Sequence, residues 1–487
     1  MSEKFYPVHL GPAKCAVDLG DGSERGEYVD QDYILQKLGR PHRSISLMYC
    51  YYPYDAEWPA RISEAWKDKN VSFAWDYPYD DYFPYEGGLN GRNGAEAEPF
   101  KSMRDVRRHG QDVTLTLTLD PKLTDDHLIA IANDLKKFGR MMLRINHEAT
   151  GNWFSFNKRA SYQEVADFFV HAANVIRTHA PNVSVILCID GIQKLGDTEI
   201  DREAEFSEAV RAADLWSTDK YPSLHWGWPY DVAEEGGTTF KRTTVRENFD
   251  LIKATCERFT EINGGVPKPM MVNEMNADGD VTGPYEQAMM VKEFGDMLKA
   301  EQADWFRAFT MYQFRDRGRL GLEIEDPNNP QVGIEQPLLK VYRDMIREEY
   351  FSPTMTLREN ELSLPVTLRW GGSEDADGIG IPLHFEGNPH FCELYFDETD
   401  ESNLMIELGG RWFYKAPKTR VLDLMGTFFE KPLTGPADLT LHIFAPPASG
   451  ENDLAAEDGL MNTYTTLTTL PRVRIRYAPI LPDPGKK

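Results

Sequence analysis

Residues 140–153 read RMMLRINHEATGNW, and this stretch carries the clearest information about the fold of the chain. Residues 141–145 are apolar except for Arg144, and a short apolar run bounded by turn signals is typical of a buried parallel strand. The run gives way abruptly to His147 and Glu148, and small and polar residues then form a turn. A carboxylic acid beside an imidazole therefore ends a strand, which is where a (β/α)8 barrel carries its catalytic groups.

A second stretch repeats this arrangement. Residues 268–276 read KPMMVNEMN, again an apolar strand that ends in a carboxylate, Glu274. Because the carboxyl ends of barrel strands share one face, Glu148 and Glu274 should face the same cavity. Paired carboxylates are the groups that glycoside hydrolysis requires: a protonated one for the leaving oxygen, and a second that attacks or stabilises the anomeric carbon.

The rest of the chain predicts an α/β protein in two parts. Apolar runs alternate with amphipathic helical patterns, which indicates βαβ units and a (β/α)8 TIM barrel in which Glu148 ends strand four and Glu274 ends strand seven. The predicted strands lie near 44–51, 71–76, 112–119, 140–147, 183–190, 214–221, 269–275 and 305–314, with the clearest helices at 162–179, 285–299 and 338–349.

After residue 350 the sequence changes to short β-rich runs separated by Gly, Pro, Asn and Asp, which predicts an all-β sandwich. The predicted domains are an N-terminal extension packed on the barrel, the barrel itself and the C-terminal sandwich, over residues 1–42, 43–351 and 352–487. The sequence leaves open whether the sandwich binds sugars or is only structural.

Composition narrows the classes of partner. The formal net charge of −25 argues against a nucleic-acid or membrane partner. Five scattered cysteines form no CxxC pair, which argues against a metal cluster. No GxGxxG or GxxxxGK(S/T) motif is present, and no metal or cofactor is predicted. No signal peptide or membrane span is visible, which favours a cytoplasmic protein, or a secreted one if a leader has been removed. The oligomeric state is left open.

Several of these residues carry a resemblance to a known family. Arg144, His147 and Glu148, with Trp153 after them, resemble the R-x-x-H-E-x-x-x-x-W stretch of glycoside hydrolase family 26, the β-mannanase family of the clan A retaining hydrolases. The resemblance implies that Glu148 is the general acid/base and Glu274 the nucleophile. An Asn-Glu pair such as the one ending at Glu274 marks the acid/base elsewhere in the clan, but strand order favours the nucleophile here.

The resemblance extends to the end of strand six. Asp219 to Tyr221 is similar to a D-x-Y stretch of the same family, whose tyrosine hydrogen-bonds the nucleophile. The predicted supporting residues are therefore Arg144, His147 and Tyr221. Arg144 either supplies a cation to Glu274 or forms an ion pair inside the barrel.

Aromatic side chains cluster after strands one, two and six, including Tyr51, Tyr52 and Tyr54 after the first and Tyr85 after the second. Exposed rings offer flat apolar faces to sugars, and although any single ring is more often a packing residue, the cluster at one barrel face is the signal. The cluster predicts an oligo- or polysaccharide substrate of the β-linked mannan, glucan or xylan type. The predicted substrate-binding residues are Trp75, Asp76, Tyr77, Asn146, Trp153, Trp226, Trp228 and Gln313.

The leading hypothesis is a retaining O-glycosyl hydrolase that works by double displacement with two glutamates. One alternative is a catalytically silent carbohydrate-binding protein on the same barrel. Another is a non-hydrolase barrel enzyme, such as a lyase that uses a glutamate and His147 as acid and base.

Overall fold

Eight parallel strands close into a barrel, and a body of antiparallel sheets follows it in the sequence. The structure is a computed structural model that describes residues 4–20, 29–55, 83–92, 94, 96–152, 154–226, 239–316, 319–451 and 461–477. Up to residue 351 the strands are β1 (Tyr6–Gly11), β2 (Ala16–Gly20), β3 (Ser44–Tyr51), β4 (Phe83–Pro84), β5 (Asp112–Leu119), β6 (Met141–Ile145), β7 (Val183–Cys188), β8 (Leu215–Ser217), β9 (Ser223–Trp226), β10 (Thr239–Arg242), β11 (Met270–Met275), β12 (Phe306–Met311), β13 (Arg315–Asp316), β14 (Glu323–Asp326) and β15 (Asn329–Glu335).

The remaining strands belong to the second body and are β16 (Thr354–Leu357), β17 (Val366–Gly372), β18 (Asp375–Phe385), β19 (Phe391–Tyr395), β20 (Leu404–Leu408), β21 (Arg411–Lys415), β22 (Val421–Asp423), β23 (Ala437–Phe444), β24 (Thr463–Leu467) and β25 (Arg472–Arg476). The helices are α1 (Gln31–Leu38), α2 (Phe100–Arg108), α3 (Asp125–Leu135), α4 (Ser155–Arg159), α5 (Tyr162–His179), α6 (Glu203–Ala212), α7 (Val245–Ile262), α8 (Gly279–Thr282), α9 (Pro284–Glu301), α10 (Pro337–Ile346) and α11 (Met425–Glu430).

The barrel closes through β2, which pairs in parallel with both β12 and β3. In order around the barrel the strands are β2, β3, β5, β6, β7, β8, β11 and β12. Glu148 follows the fourth of these and Glu274 lies in the seventh, as predicted. The predicted (β/α)8 barrel with a C-terminal β-sandwich is confirmed.

The first barrel strand differs from the prediction. The predicted strand at 71–76 lies outside the described residues, and residues 16–20 supply the strand that opens the barrel. The prediction that the barrel begins at residue 43 is therefore wrong. Sequence reasoning missed β2 because it is five residues long and places a charged residue, Asp18, at a fully buried position.

Residues 1–42 are not an extension packed on the barrel, because their described part divides between the two bodies. β1 lies between β16 and β18 and is antiparallel to both, so it is a strand of the sandwich. β2, a few residues later, is a strand of the barrel. The prediction was wrong because β1 pairs with strands that lie about 350 residues later in the chain, and no local sequence pattern indicates such a pairing.

The barrel helices form where the apolar spacing predicts them. α5 has the predicted bounds, and its first turn has a capping box in which Ser161 and Glu164 satisfy each other's backbone N–H groups. α9 and α10 lie within two or three residues of their predicted bounds. Within the described residues, no helix is both long enough and apolar enough to cross a bilayer.

The sandwich consists of a large antiparallel sheet and a three-stranded sheet with a shared core. The large sheet runs β16-β1-β18-β23-β20-β21 with β17 and β24 attached, and the small one runs β22-β19-β25. Side chains from both sheets meet in the core, among them Phe5, Ile381, Phe385, Leu394 and Leu441.

The sandwich packs against the end of the barrel where its strands begin. Ser373 donates a hydrogen bond to the Arg43 carbonyl (2.7 Å), and Asn403 donates one to the Arg108 carbonyl (2.8 Å). Arg43 directly precedes β3, and Arg108 ends the helix that leads to β5. The described contacts of the sandwich are therefore at the opposite face from Glu148 and Glu274, which lie at the strands' carboxyl ends.

Candidate active site

The loop after β6 holds Glu148 in a backbone conformation that residues other than glycine rarely adopt. Asn146 and Glu148 both have positive φ angles, 49° and 50°. The Asn146 amide fixes the loop to β5, because its Oδ1 accepts from the Leu119 N–H (2.6 Å) and its Nδ2 donates to the Leu119 carbonyl (3.2 Å). Backbone strain of this kind costs about 1–3 kcal/mol per residue and is concentrated at functional sites.

Glu274 is held by two hydrogen bonds near the tip of β11. A register shift between Val272 and Met275 interrupts the pairing with β12 at this point. Arg144 Nη2 donates to Glu274 Oε1 at 3.0 Å, and the Tyr221 hydroxyl donates to Oε2 at 2.9 Å. Both oxygens are therefore fixed, and the side chain is 10% exposed. The predicted contact between Tyr221 and Glu274 is present.

Arg144 is the cation beneath the site and makes three fixed contacts. Its side chain is 1% exposed, and its Nε donates to the Thr116 hydroxyl at 2.8 Å. Nη1 contacts Asp219 Oδ2 at 3.2 Å, opposite the contact with Glu274. Burial alone would lower the pKa of Arg144, but the charges of Asp219 and Glu274 outweigh burial and raise it above its ordinary value. Arg144 thus fills both predicted roles, as an interior ion pair and as a cation for Glu274.

His147 is neutral in this site. Burial, and then the charge of Arg144, hold the pKa of its imidazole well below the usual range. Its Nε2 lies 4.0 Å from Glu274 Oε1, and its ring packs on Phe154 with centroids 4.4 Å apart. An imidazole in this state adds no positive charge near the carboxylates.

A third carboxyl group, Asp219, completes the site. One carboxylate oxygen each from Glu148, Asp219 and Glu274 lies within 4.8 Å of the other two. Burial first, and then the charge of Glu274, raises the pKa of Asp219 from 3.8 to about 7, although Arg144 opposes this. Sequence reasoning placed Asp219 in a motif but gave it no role. The available signal was its position at the end of strand six, two residues before Tyr221.

The three carboxyl groups are also the residues that could hold a metal ion. Oxygen ligands of this kind suit hard divalent cations. Arg144 already contacts two of the three groups, so its guanidinium supplies the positive charge that a cation would bring. The arrangement therefore favours carboxylate chemistry with a fixed arginine.

The predicted substrate-binding residues have different outcomes. Asn146 is 1% exposed and uses its amide to fix the loop to β5, so its predicted contact with sugar is wrong. Gln313, just after β12, is also buried, and its Nε2 donates to Asp316 at 3.1 Å. The side chain of Trp226, the last residue of β9, is outside the description, as are Trp75, Asp76, Tyr77, Trp153 and Trp228.

Three of the predicted aromatic platforms contribute to packing instead. Tyr51, Tyr52 and Tyr85 are buried, and the rings of Tyr51 and Tyr85 meet edge to face with centroids 5.7 Å apart. Tyr54 is 54% exposed and remains available to a ligand. This agrees with the expectation that any single ring of the cluster packs more often than it contacts a ligand: Tyr51 ends β3, and all three tyrosines belong to the barrel core.

No protein family model matches the chain, and no curated protein sequence matches it. Solved structures similar to it include a family 51 α-L-arabinofuranosidase from Bifidobacterium longum, with 10% identity over 90% of this chain and 98% of that one, at a TM-score of 0.42. A monomeric β-xylosidase from Caulobacter crescentus CB15 is similar with 11% identity over 90% and 98%, at 0.44. A glucosidase from Croceicoccus marinus is similar with 8% identity over 90% and 96%, at 0.44. At these identities and TM-scores the likenesses assign no activity to the chain.

Proposed function

We propose that this chain is a retaining glycoside hydrolase that cleaves β-linked glycans of the mannan, glucan or xylan type. The observation that carries the proposal is that oxygens of Glu148 and Glu274, from two barrel-strand tips, lie within 4.8 Å of each other. Carboxyl groups of retaining enzymes lie about 5–5.5 Å apart, whereas inverting enzymes need about 6.5–9.5 Å to admit a water molecule. The separation therefore supports double displacement.

The contacts support one assignment of roles. Glu274 is fixed at both oxygens by Arg144 and Tyr221, which suits a nucleophile that must reach one carbon atom in one orientation. Glu148 is half-buried, and its carboxylate lies within 4.8 Å of that of Glu274, which suits the acid that protonates the leaving oxygen. The resemblance to family 26 supports the same assignment of roles. It also favours mannan among the three proposed substrate types.

The reaction then follows from the positions of these groups. Glu274 attacks the anomeric carbon while Glu148 gives its proton to the departing glycosidic oxygen, which leaves a covalent glycosyl-enzyme. Glu148, now a carboxylate, takes a proton from water as the water oxygen attacks the same carbon. The bond to Glu274 breaks, and the configuration of the sugar is retained.

The test is a panel of β-mannan, β-glucan, xylan and aryl β-glycosides with detection of new reducing ends. We expect the wild type to hydrolyse at least one of them. Glu148→Gln should lose far more activity on substrates with poor leaving groups than on activated aryl glycosides, since good leaving groups need little protonation. Glu257→Gln, an exposed glutamate on α7, is the matched control and should behave as wild type.

The alternatives give different results in the same panel. A silent carbohydrate-binding protein would bind a glycan and release no reducing ends. A lyase would release an unsaturated product. Equal losses on both classes of substrate in Glu148→Gln would contradict the acid/base role.

A further inference from the structure

We propose that Asp219 is a positioning residue of this hydrolysis, and that its carboxylate keeps the transferable proton on Glu148. The inference rests on the proposed function and adds a third carboxyl group to its mechanism. Asp219 follows β8, with a side chain that is 1% exposed, and it is fixed by Arg144 at 3.2 Å and by the Cys188 thiol, which donates to Oδ2 at 3.3 Å.

The argument begins with the charges in the site. Three carboxyl groups lie within 4.8 Å of one another, and Arg144 is the cation that contacts two of them. His147, the other basic group at the site, is neutral. Among the described residues, the three acids when fully ionised would exceed the one guanidinium that contacts them by two negative charges. Like charges this close resist ionising together, so the cluster retains a proton as the pH approaches neutrality.

The contacts indicate which groups share that proton. Glu274 receives hydrogen bonds at both oxygens, from Arg144 and Tyr221, so the site compensates its charge more fully than that of Asp219. Asp219 Oδ1, in contrast, is buried and accepts no hydrogen bond from any described residue. The retained proton is therefore assigned to Asp219, which shares it with the neighbouring acid, Glu148. The raised pKa of Asp219, about 7, agrees with a proton that persists into the neutral range.

This arrangement serves both steps of the reaction. Before the first step Asp219 and Glu148 share one proton, and whenever Glu148 carries it the negative charge of Asp219 disfavours its loss, so the proton is available when the leaving oxygen needs it. After Glu148 has given that proton away, the same repulsion favours its taking a proton from the attacking water. The charged and titratable groups that face Asp219 are Arg144, Glu148, Cys188, Asp190, Tyr221 and Glu274.

The test is the pH profile of kcat/KM for Asp219→Asn, which keeps the shape and an oxygen for Arg144 but removes the charge. Without that charge Glu148 loses its proton at lower pH. The alkaline limb should therefore move to lower pH by about one unit, with about a tenfold loss above the limb on substrates with poor leaving groups. Activated aryl glycosides should lose little, because they need little protonation.

Asp214→Asn is the matched control, since it removes a carboxylate just before β8, at the opposite end of that strand from the three-acid cluster. Its limb should stay close to that of the wild type. An unshifted limb in Asp219→Asn, or equal losses on activated and unactivated substrates, would overturn the inference. A purely structural Asp219 would change the amount of folded enzyme and leave the limb in place.

A second measurement needs no activity and separates this inference from the proposed function. A carboxyl group whose pKa is raised on folding, here from 3.8 to about 7, stabilises the fold fully below pH of about 4, and that contribution is lost as the pH rises to about 7. The Tm of wild type minus that of Asp219→Asn should fall across this window. A flat difference would overturn the retained proton.

If the wild type hydrolyses nothing but the difference falls, only the proposed function is wrong. If Asp219→Asn does not fold, the same difference in Tm measured with Glu148→Gln, the other member of the pair, decides: a fall across the window supports the retained proton and a flat difference overturns it.

Discussion

At the scale of single residues, Glu274 is the group on which the described contacts converge. Replacing it with Ala leaves space at the anomeric carbon while Glu148 keeps its proton. We expect Glu274→Ala to lose about a thousandfold or more in turnover, and added azide to restore a product of inverted configuration on an activated glycoside. Proton NMR of the anomeric product is the measurement. Near-wild-type turnover without azide would remove Glu274 from the nucleophile's role.

Tyr221 should matter for rate more than for folding. Tyr221→Phe removes one hydrogen bond to a carboxylate, a contact worth about 1.5–3 kcal/mol, so kcat/KM should fall about ten- to a hundredfold. Tyr342→Phe is the control, because that hydroxyl contacts His42 at 2.9 Å, away from the site. It should lower Tm and leave kcat/KM unchanged. Equal kinetic effects from both would show that the Tyr221 contact is only structural.

The sequence could predict the site residues that lie at strand ends or in recognisable motifs. Glu148 and Glu274 end apolar strands, and Tyr221 and Arg144 lie in motifs. The role of Asp219 could not be predicted, because it depends on a contact with Arg144, which lies 75 residues earlier in the chain. Asn146 was misassigned for a similar reason, since nothing local shows that its amide is used by the neighbouring strand.

At the scale of elements, β2 decides whether the barrel closes. Asp18 on this strand is fully buried and bonds Arg43 and the Ser44 N–H, at the start of the next barrel strand. Asp18→Asn leaves the Arg43 charge without its counter-ion, which should cost about 3 kcal/mol or more of unfolding free energy. Chemical denaturation measures the change.

The control for this prediction is an exposed ion pair. Lys340 and Asp344 on α10 are 72% and 54% exposed, so Asp344→Asn should change the unfolding free energy by no more than about 0.5 kcal/mol. A comparably small effect from Asp18→Asn would mean that closure of the barrel does not depend on this ion pair.

Predictability at this scale follows from how local the cause of each element is. α5 could be predicted to the residue because its apolar spacing and the capping box at Ser161 and Glu164 are contained in its own sequence. β2 could not, because an interior Asp18 contradicts the apolar pattern expected of a barrel strand. Only the position of Arg43, 25 residues later, explains it.

At the scale of the whole molecule, the two bodies meet at an apolar interface, and the first strand of the chain belongs to the sandwich. Leu35, on α1 beside the barrel, packs in one cluster with sandwich residues that include Val8, Trp370 and Trp412. A fragment of residues 1–351 would expose this surface and leave β1 without both partners, β16 and β18. We expect it to be insoluble or aggregated, as judged by size-exclusion chromatography.

A second fragment separates the effect of the exposed apolar surface from the effect of the unpaired strand β1. Residues 12–351 lack β1 as well, so any recovery of soluble protein would assign the defect to the unpaired strand. A monodisperse 1–351 fragment that hydrolyses a small glycoside would contradict the account of a shared interface. The change in sequence pattern near residue 350 correctly predicted a barrel and a sandwich. It did not predict that β1, the first strand of the chain, belongs to the sandwich.

The central claim is that Glu274 forms a covalent bond to the sugar. The most direct measurement is mass spectrometry of the intact and proteolysed enzyme after incubation with a 2-deoxy-2-fluoro derivative of an activated glycoside that the panel shows to be cleaved. The fluorine slows release of the intermediate, so it accumulates. The account predicts the added mass of one fluorosugar on the peptide that contains Glu274, and none in Glu274→Ala. A label on Glu148 or Asp219, or turnover with inversion and no label, would contradict it.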